Sequence, residues 1–359
     1  MHAPISSAAE LAAAATTLGS AVALGIDTEF MRERTYYAQL CLLQVASSEQ
    51  ALCVDTLALT DLAPLRPLLG GAQPCKILHA ARQDLEVLWP VVGALQNIFD
   101  TQVAAALIGL PAQVGYADLV QTLLGIHLHK SHTRTDWSRR PLSAGQIEYA
   151  LDDVRHLLPL RERLSERLRQ LGRYAWFEAE MQELQAETLA VDPQQAWRRI
   201  KSFADLDPHR RRLAQALAAW REERAMQSDR PRGWILPDGA LRDIVLRVPR
   251  NQGALAAIQE LPPGICQNSG AQLLALVGAA AVPDPAPPLP PRQRPDPERL
   301  ALIARLAETT RRTAATLALA PELLATRRDL EQLAGGARDG AALRGWRREV
   351  IGSALLAAL

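Results

Sequence analysis

Ala21-Val22-Ala23-Leu24-Gly25-Ile26-Asp27-Thr28-Glu29-Phe30 is an apolar run that enters an acidic triplet. Side chains alternate faces along a strand, so the run reads as a buried β-strand over 22–30 whose end presents Asp27 and Glu29 on one face. Apolar runs at 40–46, 51–55, 76–79 and 98–99 predict further strands, and helical patterns separate the later ones. Three strands in succession followed by alternating helix and strand imply a mixed sheet flanked by helices, antiparallel at its beginning and parallel in its continuation.

Two more acidic positions join the first pair in the reading. The segment 81–88 has helical spacing and follows the strand 76–79, so Asp84 belongs near a strand-to-helix junction. In the segment 146–154, Ile147, Ala150, Leu151 and Val154 recur at helical intervals, and Tyr149 and Asp153, four apart, project from one face of that helix. Each piece alone has a plainer reading. Asp-x-Glu is often a solvated strand face, and Asp84 suits the first turn of a helix because the macrodipole favours an acid there. Together, Asp27, Glu29, Asp84 and Asp153 supply four hard oxygen donors of the kind that Mg²⁺ or Mn²⁺ prefers. Two such ions, about 3.5–4 Å apart, can brace the attacking and leaving oxygens of a phosphodiester. A tyrosine one turn from a ligating aspartate can orient or deprotonate the attacking water, although a phenol of pKa about 10 needs that water acidified by metal. The constellation points to a nuclease.

These motifs carry a resemblance to ribonuclease D, a family of 3′→5′ exonucleases in the tyrosine subgroup of the DEDD superfamily. Similar to that family are Ile26-Asp27-Thr28-Glu29-Phe30 with Arg34-Thr35-Tyr36-Tyr37, Leu78-His79-Ala80 leading to Asp84-Leu85-Glu86, and Phe99-Asp100-Thr101-Gln102. Lys130-Ser131, Arg134-Thr135-Asp136-Trp137 and Tyr149 to Asp153 extend the likeness. The resemblance implies a ribonuclease H-like α/β exonuclease domain followed by all-α helical bundles. It implies Asp27, Glu29, Asp84 and Asp153 as metal ligands for two divalent ions, Mg²⁺ or Mn²⁺, and Tyr149 as the residue that positions or deprotonates water. Thr28, Phe30 and His79 are then expected near the terminal nucleotide. No organic cofactor is implied.

A chain of 359 residues is long enough for two or three domains. Its net charge of +1 hides an asymmetry: positions 1–160 hold 10 basic against 15 acidic residues, and positions 161–359 hold 30 against 24. Carboxylates awaiting cations in the first part, and positive charge facing a phosphate backbone in the second, would account for it, as would an ordinary solvated surface. The Ala-rich stretch 8–26 carries Glu10 and has no basic segment before it, which argues against a secretion signal or membrane span. Ser7-Ala8-Ala9-Glu10 reads as a capping box instead. Cys41, Cys53, Cys75 and Cys266 form no Cys-x-x-Cys pair and lie mostly among apolar residues, as reduced thiols do, so a cytoplasmic location is expected. His127, His129 and His132 lack a nearby cysteine, which argues against a zinc site.

Beyond Asp153 helical patterns predominate, and 157–171 reads as a continuation of the helix that carries Tyr149 and Asp153. The expected division is an exonuclease domain over 1–170, a helical connector over 171–206 and a first helical bundle over 207–282. The last resembles the domain shared by helicases and the C-terminus of ribonuclease D (HRDC). A proline-rich linker over 283–297 and a second, degenerate copy over 298–359 complete it. Trp220 and Trp346 are expected as core anchors of the two bundles. Arg198, Arg199, Lys201 and Arg210 to Arg212 are candidate phosphate contacts or, equally, a solvated helix face. The expected activity is metal-dependent removal of nucleotides from RNA 3′ ends, with tRNA precursors and other structured RNA with 3′ tails as the substrates the resemblance implies. A DNA exonuclease of the same superfamily would use the same acids, and an RNA-binding scaffold without turnover would not need them.

Overall fold

The computed structural model describes residues 3–59, 61–128, 135–186, 191–200, 203, 206–280 and 296–359. The chain forms two compact units. The first comprises Met1–Met31, Leu40–Leu189 and Pro295–Leu359, and the second Arg32–Gln39 and Ala190–Arg294.

The first unit is built on a five-stranded sheet in the order β3-β2-β1-β4-β5. Its strands are β1 (Ala23–Met31), β2 (Gln39–Ala46), β3 (Ala51–Asp55), β4 (Cys75–Leu78) and β5 (Ile98–Asp100). β2 pairs with β3 antiparallel, Leu42 opposite Asp55 and Ala46 opposite Ala51. β4 pairs parallel with β1, Ala23 opposite Cys75, and with β5, Ile77 opposite Phe99. The expected mixed sheet is therefore present. Along β2 seven of eight positions are buried, as a strand covered on both faces requires.

Helices cover this sheet. α1 (Ala8–Leu18) opens with the Ser7/Glu10 capping box. α2 (Arg82–Val92) follows β4, and α3 (Thr101–Leu107) follows β5 directly. α4 (Tyr116–Leu124) precedes α5 (Ala144–Arg155), which starts at a Ser143/Gln146 capping box. α6 (Leu157–Gln170) buries Leu157, Leu160, Leu164 and Leu168, a stripe at intervals of three and four.

The segment 157–171 does not continue α5: the two helices are broken at His156. The cause is a side chain inserted into the helical ladder. The Tyr116 hydroxyl donates to the Asp152 carbonyl at 3.0 Å and accepts from the His156 N–H at 3.3 Å, two groups that would otherwise pair with each other.

The C-terminal helices α11 (Pro297–Leu317) and α12 (Arg327–Ala334) also belong to the first unit. Trp346 stacks on Trp176 of α7 (Tyr174–Ala186) at 4.6 Å, and its Nε1 donates to Glu180 at 2.7 Å. Arg347 donates to the same carboxylate at 2.6 and 3.0 Å. Arg173 donates to the carbonyls of Leu107 and Leu317 at 2.8 and 2.5 Å. Gly109, at φ +98, approaches so closely that a Cβ there would lie 2.6 Å from the Ala318 carbonyl.

The second unit is helical: α8 (Pro208–Ser228), α9 (Asp238–Arg247) and α10 (Pro263–Ala280) surround Leu213, Leu217, Leu236, Leu241, Ile244 and Leu273, all fully buried. Trp220 packs against this core half-buried. Glu222 is buried by a bidentate bond from Arg232, both contacts at 2.6 Å, and by the Tyr36 hydroxyl at 2.5 Å. The proline-rich positions 283–295, His129, His132 and Lys201 lie outside the described residues. Arg210, Arg211 and Arg212 each donate to a backbone carbonyl, those of Leu246, Leu206 and Ala280, and Arg199 lies 3.8 Å from Glu222. All four cysteines are buried, and none is joined to another in a disulfide.

Candidate active site

Strand alternation puts Asp27 and Glu29 on one face of β1, and α5 delivers Asp153 to the same place. Carboxylate oxygens of these three residues lie within 4.8 Å of one another. The packing that allows this is visible at Gly25, two residues before Asp27. A Cβ there would stand 3.0 Å from the Val154 carbonyl and 3.1 Å from Leu157 Cβ, so the absence of a side chain lets the end of α5 approach the strand.

Asp84 stands beside this trio at the third position of α2, where the helix dipole favours an acid. Its partner is Thr28, whose hydroxyl donates to Asp84 Oδ1 at 2.5 Å. The turn before α2 is held by Asp100: its carboxylate accepts from the N–H groups of Ala80 and Ala81 at 3.1 and 2.8 Å, and from Gln102 and Val103 at the start of α3. Ala80 sits at φ +57, a strained conformation for a residue with a Cβ, and the Asp100 bond fixes it there.

The electrostatics are those of a buried acidic cluster. Burial, then the charges of Asp84, Asp153 and Glu29, push the Asp27 carboxyl well above the carboxylate range. Burial followed by Asp153 and Asp84 lifts Glu29 to about 8. Burial raises Asp84 and Asp153 to about 7 each, against the opposing hydrogen bonds from Thr28 and Tyr149 respectively. Such a set is all carboxylate, and its oxygen donors match a hard divalent cation.

Tyr149, one turn before Asp153, donates its hydroxyl to that carboxylate. Burial and the charges of Asp153, Glu29 and Asp27 raise its pKa, so the phenol keeps its proton. Its ring lies 6.2 Å from that of the buried Trp137. His79 is bound on both ring nitrogens: Nε2 lies 3.0 Å from the Val114 carbonyl and Nδ1 2.9 Å from the Thr101 hydroxyl. Burial lowers its pKa, and since a carbonyl only accepts, the neutral ring carries its proton on Nε2. Phe30 is half-buried at the end of β1. Tyr116, whose hydroxyl ends α5 three residues after Asp153, was not singled out by its sequence context; nothing local marks a tyrosine that bonds a helix 36 positions away.

A mixed sheet with four acids at its centre, three on strand β1 and helix α5 and one beyond β4, defines an exonuclease class, and residues 3–169 match the 3′-5′ exonuclease family. Residues 210–277 match the HRDC domain. The chain is 39% identical over 360 residues to the ribonuclease D of Nitrobacter hamburgensis, covering 98% of this chain and 94% of the relative. It is 41% identical over 348 residues to the ribonuclease D of Gluconacetobacter diazotrophicus, covering 93% and 86%. The crystal structure of Escherichia coli RNase D, described as an exoribonuclease involved in structured RNA processing, matches with a TM-score of 0.90 at 32% identity, covering 100% of this chain and 99% of that one. The chain belongs to the ribonuclease D family, and is thus an enzyme of RNA. Among the described residues no helix is long and apolar enough to cross a membrane.

Proposed function

We propose that this chain removes nucleotides one at a time from single-stranded RNA 3′ tails, releasing 5′-mononucleotides, and that tRNA precursors and other structured RNA in the cytoplasm are its substrates. The observation that carries the reading is the convergence of Asp27, Glu29 and Asp153 within 4.8 Å, with Asp84 beside them. Asp27, Glu29, Asp84 and Asp153 would hold two divalent ions, Mg²⁺ or Mn²⁺, which when bound supply an acidified water and stabilise charge on the attacking and leaving oxygens.

The remaining groups position the reactants. Tyr149, neutral and hydrogen-bonded to Asp153, orients the attacking water instead of taking its proton. Thr28 keeps Asp84 turned toward the cluster. Phe30 and the His79 ring lie beside the terminal nucleotide, His79 with its polar atoms already bound to protein. The HRDC bundle holds the structured part of the RNA.

The test is a time course on 5′-labelled RNA with a single-stranded 3′ tail, with Mg²⁺, with Mn²⁺ and with chelator, alongside Asp153→Asn. A metal-dependent ladder shortening from the 3′ end and absent in the variant is expected. RNA binding without shortening would instead identify a scaffold, and faster loss of a competing DNA strand a DNA exonuclease.

A further inference from the structure

Arg140 lies outside the acidic cluster, yet every donor of its guanidinium is bound. Nε donates to Asp55 Oδ2 at 2.6 Å, and one terminal nitrogen donates to Asp55 Oδ1 at 2.7 Å and to the Cys41 carbonyl at 2.8 Å. The other donates to the carbonyls of Trp137 at 2.8 Å and Arg139 at 2.9 Å. A guanidinium presents five N–H groups in a rigid planar fork, and here all are used.

These bonds join three pieces of chain. Asp55 ends β3, and its carboxylate also accepts from the N–H groups of Leu57 and Ala58. Cys41 lies on β2. Trp137 precedes α5, is only 3% exposed, and packs among Cys41, Leu42, Cys53, Ile147, Ala150 and Leu151. Ser143, which caps α5, follows Arg140 by three residues. The indole of Trp137 is in turn the ring that faces Tyr149, 6.2 Å away at 31°. A partly buried ion pair contributes little net stability on average, but five directional bonds fix register.

We propose that Arg140 and Asp55 form a positioning clamp that sets Tyr149, through Trp137 and the start of α5, for the hydrolytic step. The proposal rests on the water-orienting role of Tyr149 given above. Neither Arg140 nor Asp55 touches the acids or the reacting atoms.

The experiment is a double-mutant cycle on the full chain, measuring kcat and KM on 5′-labelled RNA with Mn²⁺. Arg140→Met is expected to lower kcat by roughly tenfold to a hundredfold, the scale of a small misplacement at a reacting centre, with KM nearly unchanged. In the Tyr149→Phe background the same substitution should cost almost nothing, because residues acting through one group are not additive. Arg140→Lys, which keeps the charge and loses the fork, should fall between. Equal losses in both backgrounds, or a lowered melting temperature with kcat intact, would overturn the proposal. If Arg140→Met does not fold, Arg140→Lys and Asp55→Asn carry the same cycle. An inactive wild type would refute the exonuclease reading, a result distinct from an active wild type indifferent to Arg140.

Discussion

Replacing Glu29 with Gln should abolish hydrolysis and, in the metal-free protein, raise stability. An ordinary glutamate titrates near 4.5, whereas in the fold burial and the charges of Asp153 and Asp84 hold Glu29 at about 8. A carboxyl raised in the folded state binds its proton more tightly there than in the unfolded chain. The native state therefore carries more protons between those values, and stability falls as pH rises from about 4.5 toward 8, with the full contribution present only below that window. From 4.5 to 7 the proton activity drops about 2.5 decades, which at about 1.36 kcal/mol each amounts to on the order of 3 kcal/mol. Gln has nothing to deprotonate and escapes that cost. At about 2–4 °C per kcal/mol for a unit of this size, the variant should melt several degrees above wild type at pH 7 in chelator, and close to it at pH 4.5. Mn²⁺ at about a thousand times Kd should reverse the order, since about 4.1 kcal/mol then accrues to the protein that binds metal. The assay is differential scanning calorimetry of both proteins across pH 4.5–8, with chelator and with Mn²⁺. A variant that melts with wild type at pH 7 in chelator, or leads it equally at every pH, would refute the reasoning.

Other substitutions separate the parts of the site. Asp27→Asn should remove turnover while the fold persists, as checked by RNA shortening beside circular dichroism, because a neutral amide is a poor ligand for a hard cation. Thr28→Val, which takes the hydroxyl from Asp84, should weaken Mn²⁺ binding by roughly 10–100-fold in a calorimetric titration. Tyr149→Phe should lower kcat by about 10²-fold, the scale of a misoriented reactant, while leaving Mn²⁺ affinity near wild type; a large loss of metal affinity would make the phenol part of the metal site. Gly25→Ala must push Val154 or Leu157 outward, so it should cost about 1–3 kcal/mol in denaturant unfolding and lower kcat by displacing Asp153 from Asp27.

What was legible in the sequence was whatever depends on short-range period. The alternation along 22–30 put Asp27 and Glu29 on one face, and the four-residue interval put Tyr149 beside Asp153, because strand and helix geometry turn spacing into direction. Adjacency across the sheet was legible only through likeness to a family, since no local pattern says that β1 lies between β2 and β4. The break at His156 was invisible for the same reason. Leu157, Leu160, Leu164 and Leu168 continue the period of α5, and the interruption comes from a hydroxyl on Tyr116. Thr28 read as a residue near the nucleotide, but its side chain is spent on Asp84, 56 positions away.

The supports of α5 follow from the charge they must hold. Four carboxylates gathered in one place repel one another, and each would gain solvation by moving outward. Asp153 sits on a helix, and a helix can slide or tilt on a sheet far more easily than a central strand can shift its register. That helix is held at its start by Arg140 and the Ser143 cap, at its end by Tyr116, and along its flank by the close approach at Gly25. β1 needs no comparable set of anchors, since hydrogen-bonded neighbours on both sides already fix it. On this argument, substitutions that loosen α5 should cost the metal-free protein little stability while lowering the rate measured with Mn²⁺, because relaxation relieves the repulsion that the active geometry requires.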